Sequence, residues 1–114
     1  MDGEQARVPV TITPSRIQSQ IELLDRPAAG FFKIEFTGNA LYYMKRRGIS
    51  KHDVLTAIRA PDEEGLPTEE DRKRVRRNQN QREAIDVVYD TLEDRVRVIT
   101  AFKTQRPLVR RRRR

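Results

Sequence analysis

Cysteine is absent from these 114 residues, and histidine occurs once. No disulfide framework can form, nothing points to an oxidising compartment, and one histidine without a thiolate cannot build a structural zinc site. There is no glycine-rich phosphate loop and no nucleophile elbow, which sets aside the enzyme classes built on them. Long apolar runs are missing as well. None approaches the length needed to cross a bilayer, and the first thirty residues lack the basic start and apolar core of a signal peptide. A soluble cytoplasmic protein, with no membrane contact, metal or cofactor, is the expectation.

Charge is abundant. Charged and hydrophobic residues each make up 36% of the chain, so the packed part should be smaller than the whole. The net charge of +7 suits a polyanion held through phosphate contacts and counterion release. Much of it is one run: Arg110, Arg111, Arg112, Arg113 and Arg114. Subtracting these five leaves +2. Residues 105–114 read as a disordered arginine-rich tail, either an anchor on nucleic acid or a solubilising end. As an anchor it would give a log–log salt slope of about −4.5 on duplex DNA or about −3.5 on a single strand. In the middle of the chain an acidic block from Asp62 to Asp71 precedes a basic block from Arg72 to Arg82, cancelling in net charge but not in local field.

Residues 1–30 read as an extension with a helix at 14–24. Thr13 can cap it, Pro14 suits its first position, and Ile17, Ile21 and Leu24 recur on one face. That stripe would pack on the domain's own core or dock a partner chain. From residue 31 to 104 the pattern becomes that of a domain. Phe32, Ile34 and Phe36 alternate with Lys33, Glu35 and Thr37 as in a half-buried strand. A helix from Asn39 to Arg47 should turn Leu41 and Met44 inward and stop at Gly48. Ser50 and Asp53 cap a second helix with Val54, Leu55 and Ile58 on its apolar side, closed by Pro61.

The segment 62–81 lacks apolar periodicity and reads as a mobile loop or solvated element. Ile85, Val87 and Tyr89, then Val96, Val98, Thr100 and Phe102, mark the two strands of a β-hairpin. The order predicts an α+β fold, with two short helices packed on one face of a small antiparallel sheet. The other face, carrying Lys33, Glu35, Asp86, Arg95 and Arg97, should meet water or a polar ligand.

Four stretches, NALYYMKRRGIS, VLTAIRAP, AIDVVYD and RVRVITAF, occur in that order over residues 31–103. Together they resemble the small bacterial domains related to the BrnT toxins. That group is placed with RelE-like toxins in the barnase, EndoU and colicin nuclease superfamily. The resemblance implies a compact toxin-like fold, an RNA-directed activity such as metal-independent endoribonuclease action, and an antitoxin protein as partner. Members of the family place a histidine at the start of the first helix, an arginine four residues on and another four after that. Here Asn39, Tyr43 and Arg47 occupy those positions.

Such a ribonuclease needs a group to take the 2′-hydroxyl proton, a donor for the leaving oxygen, and positive charge for the phosphorane. The spacing of Asn39, Tyr43 and Arg47 sets them along one stripe of the helix. Asn39 does not exchange protons near neutral pH, and Tyr43 does so only with a pKa well below about 10. Tyr43, Arg47 and Thr100 are the candidate catalytic residues. Asn39, Lys45, Arg46, Arg47, Arg82, Arg95, Arg97 and the terminal arginines are the candidate contacts to nucleic acid. Lys45 to Arg47 also suit a solvated helix end, and Tyr42 and Tyr43 could stack on bases or fill the core. His52 falls off the stripe and reads as an exposed helix residue.

Two functions compete on these residues. One is an RNA-directed toxin-like domain of a toxin–antitoxin type system, acting as an endoribonuclease. The other is a noncatalytic nucleic-acid-binding or regulatory module on the same scaffold.

Overall fold

Thr37 opens the first helix and Gly48 closes it, and both do so by satisfying backbone groups that a helix end leaves free. In the computed structural model, which describes residues 16–106, the Thr37 hydroxyl accepts from the Ala40 amide at 3.1 Å and donates to the Val98 carbonyl at 2.9 Å. Gly48 takes a left-handed φ of 68°. Its amide donates to the Lys45 carbonyl while that of Ile49 donates to the Met44 carbonyl, a Schellman closure in which Ile49 and Met44 are both buried. Ser50 and Asp53 then form a capping box for the second helix.

The elements are β1 (Gln20–Ala28), β2 (Phe31–Phe36), α1 (Gly38–Arg47), α2 (Lys51–Arg59), β3 (Lys73–Asn78), β4 (Glu83–Thr91) and β5 (Val96–Gln105). One five-stranded sheet runs β1-β2-β5-β4-β3. Both helices cover the same face of it. Ala40 and Met44 of α1 and Val54, Ala57 and Ile58 of α2 share a core with Ile34, Phe36, Val87, Val96 and Val98. The fold is α+β, as the pattern predicts. The sheet is antiparallel except at its centre, where β2 and β5 pair in parallel over Ile34–Val96, Glu35–Arg97 and Phe36–Val98.

Four expectations need correction. Of the helix predicted at 14–24, residues 14 and 15 lie outside the described residues and Gln20 to Leu24 are strand. The partner decides: β1 covers the open side of β2, and Ala29 and Gly30, with φ of 52° and 87°, make the two-residue turn a hairpin prefers. The domain therefore includes Gln20 and does not begin at residue 31. It also runs past 104, since Gln105 belongs to β5 and the Arg106 amide donates to the Arg82 carbonyl at 2.8 Å.

Segment 62–81 contains β3. Its one apolar residue, Val75, faces the core, and its outer edge is covered where Glu63 bridges to Arg76. Finally, β5 does not alternate throughout. Tyr89 pairs with Val98 but Val88 pairs with Thr100, so Ile99 is an extra residue, a β-bulge. Beyond it the faces exchange: Ala101 enters the core, while Thr100 and Phe102 turn to the face opposite the helices.

Candidate functional site

The stripe Asn39–Tyr43–Arg47 lies along the bulged part of β5. The Asn39 side-chain amide donates to the carbonyl of Ile99, the bulged residue, at 2.9 Å. Eight residues on, Arg47 Nη1 donates to the Ala101 carbonyl at 2.8 Å. Between them Tyr43 lies under the Arg47 guanidinium, 4.3 Å from ring centroid to Cζ, and meets Tyr42 edge-on. A bulge disturbs the ladder and leaves carbonyls in search of donors. Asn39 and Arg47 are those donors, so both have structural work here.

Thr100 does not join them. It pairs with Val88, which lies outside the core cluster, and so belongs to the sheet's other face. The three candidate catalytic residues are therefore split by the sheet. His52 is exposed on α2, away from the stripe. Among the described residues no cluster of three or more His, Asp or Glu could hold a metal ion.

Lys45 and Arg46 are exposed and point to the opposite flank of α1. There they rim a groove with Leu41, Met44, Ile49 and Gln20, and Arg46 stacks on Tyr42 at 5.5 Å.

The face opposite the helices is dense with charge, and that charge is paired. Asp86, expected at a water-facing position, is fully buried between two arginines. Arg76 Nε donates to its Oδ1 at 2.6 Å and Nη2 to its Oδ2 at 2.9 Å, while Arg74 Nε donates to Oδ2 at 2.8 Å. Arg74 also lies 5.2 Å over the Phe102 ring. Burial opposes the Asp86 charge, but the hydrogen bonds from Arg76 and Arg74 outweigh it and hold the carboxyl below its ordinary value.

Arg97 grips Asp90 with two bonds of 3.1 and 2.9 Å, and Arg95 donates to Glu35 at 2.7 Å and to Asp94 at 2.9 Å. These hydrogen bonds push both guanidinium pKa values up. Arg95 and Arg97, candidates for phosphate, are thus committed to carboxylates.

On the helix-covered side Lys51 pairs with Glu22, but among the described residues the other cations there do not end on carboxylates. Arg77 ends on the Ala60 carbonyl at 2.8 Å, and Arg82 is exposed beside the β3–β4 turn. Lys103, exposed and two residues beyond Ala101 on the same face, was not among the sequence candidates. Only the bulge would have revealed it, since strict alternation sends it to the other side. Arg110 to Arg114 lie outside the described residues. No helix among the described residues is long and apolar enough to cross a membrane.

No protein-family model matches this chain, and neither a curated protein nor a solved structure does.

Proposed function

We propose that this domain binds nucleic acid, RNA first among the candidates, through its phosphate backbone and without cleaving it. The observation that carries the reading is the contrast between the sheet's faces. On one side Arg74, Arg76, Arg95 and Arg97 are neutralised by Asp86, Glu35, Asp94 and Asp90. On the other, Arg47 and Arg77 end on carbonyls, and Lys103 meets solvent. A guanidinium on a neutral carbonyl keeps its full charge for a phosphate.

Tyr43 is the stripe's one candidate for proton exchange. Asn39 carries no titratable group, and Thr100 is on the far face. The toxin-like endoribonuclease reading retains one favourable contact, Arg47 over the Tyr43 ring, where a phosphate drawn to the cation would lie beside the phenol. Incubating the purified chain with RNA, with and without magnesium, separates the two. Saturable, salt-sensitive binding with intact RNA is expected. Cleavage that Tyr43→Phe abolishes in a folded protein would overturn this reading in favour of the nuclease.

A further inference from the structure

We infer that the groove on the far flank of α1 is a docking site for the apolar face of an acidic amphipathic peptide. It is a cavity of about 610 Å³, within the size range of ligand clefts. Its floor is aliphatic. Leu41, Met44 and Ile49 form it, the last two being the buried pair that closes the helix at Gly48. Helical spacing builds the wall: Leu41, Met44 and Lys45 follow one another along α1 at i, i+3 and i+4, with Tyr42 and Arg46 on the adjoining row.

The rim has one sign. Lys45, Arg46 and Lys51 line the groove, and among the described residues no carboxylate does. Lys51 is engaged, since its Nζ donates to Gln20 Oε1 at 2.8 Å and to Glu22. Lys45 and Arg46 are exposed, and Arg46 is held by a neutral partner: its guanidinium lies 5.5 Å over the Tyr42 ring, and its Nη1 donates to the Tyr42 hydroxyl at 3.4 Å. Arg46 is thereby positioned beside the groove with its charge intact. The cleft beside β3, of similar size, mixes Glu64, Glu69 and Glu70 with its cations and offers no such rim.

That chemistry selects the occupant. An aliphatic floor edged by cations matches a helix that turns leucine side chains inward at i, i+3, i+4 and i+7 and carries carboxylates beside them. An RNA strand matches it less well. Arg46 and Tyr43 already pack on the Tyr42 ring, and no other aromatic side chain lines the groove for a base to stack on. Arg47 turns instead to the Ala101 carbonyl of β5, so the peptide groove and the proposed phosphate surface lie on opposite flanks of one helix. A protein and a nucleic acid then have separate places on the domain.

The test is fluorescence anisotropy on the full chain with a labelled helical peptide that has leucines at those positions and glutamates between them, beside a copy with glutamines for the glutamates. The acidic peptide should bind saturably and the glutamine copy more weakly. Lys45→Ala with Arg46→Ala, both exposed positions, should weaken the acidic peptide by about three- to tenfold and flatten its salt dependence. Arg82→Ala with Lys103→Ala removes the same charge elsewhere and should leave binding unchanged. No binding by the unaltered chain, no loss from the first pair, or equal losses from both would overturn the site. Three further outcomes would overturn the occupant. Displacement of the peptide by a synthetic copy of residues 1–15 would make it the chain's own extension, and dimers in sedimentation that the Lys45 and Arg46 substitutions abolish would make it a second copy. Displacement by polyuridine RNA, with RNA binding weakened by the same substitutions, would make it nucleic acid.

Discussion

Asp86 and Arg76 meet through two hydrogen bonds, of 2.6 and 2.9 Å, on the sheet face away from the helices, and the carboxylate is wholly buried there. A buried carboxylate on a face without helices is held by its partners more than by the core. Replacing Asp86 with alanine strands Arg74 and Arg76, themselves largely covered, without their counter-ion. Breaking a buried pair in this way costs about 3–5 kcal/mol, a large part of a typical domain's stability. Urea denaturation of Asp86→Ala should show that loss; an unchanged midpoint would mean the arginines re-pair at no cost.

The same carboxylate sets an acid limit. Its folded pKa is depressed, so its stabilisation is complete above the unfolded value of about 3.9 and is lost as pH falls through the folded value. The urea midpoint should hold from neutrality to about pH 5 and decline below about pH 4. Asp86→Asn, though less stable, should decline less steeply. Parallel curves for the two proteins would remove Asp86 from the acid transition.

Asn39, at the start of the stripe, serves the bulge. Asn39→Ala leaves the Ile99 carbonyl with only the longer bond from the Thr37 hydroxyl, at 3.3 Å, which should cost about 1 kcal/mol. Asn39→His should not yield RNA cleavage, because Thr100 remains across the sheet. A gain of nuclease activity in that variant would show that the scaffold lacks only its base.

Ala29 takes a φ of 52°, which an L side chain disfavours, in the turn joining β1 to β2. Asn tolerates that conformation better, so Ala29→Asn should stabilise the domain by about 0.5–1 kcal/mol. Thermal melting reads this directly. A lower melting temperature would point to a contact of the Ala29 methyl that outweighs the backbone term.

Much of the fold is legible because local chemistry and tertiary structure agree at Gly48, Ser50, Asp53 and Pro61, which bound the helices where the sequence predicts. Elements failed to announce themselves where a partner decided. β1 is a strand because β2 offers an edge, although Ile17, Ile21 and Leu24 also fit a helix. β3 has Val75 as its single core residue and is stabilised by Asp86 and Glu63, charges distant in sequence.

The candidate site was readable as a stripe but not as a site. The Ile99 bulge, which no residue in RVRVITAF signals, moves Thr100 away from Tyr43 and brings Lys103 to the helix side. Sequence alternation predicts the reverse for both.

The parallel pairing of β2 with β5 also governs the order of events during synthesis. The central partner of β2 is the last of the described strands to be made, so the described sheet stays in two pieces, β1–β2 and β3–β4, until β5 has left the ribosome. Ile34 and Phe36, both fully buried at the end, have no permanent neighbour on that side before then. A polypeptide arrested before Val96 is therefore a sticky intermediate rather than a smaller domain, and any factor that shields nascent chains would find its target in the β1–β2 hairpin.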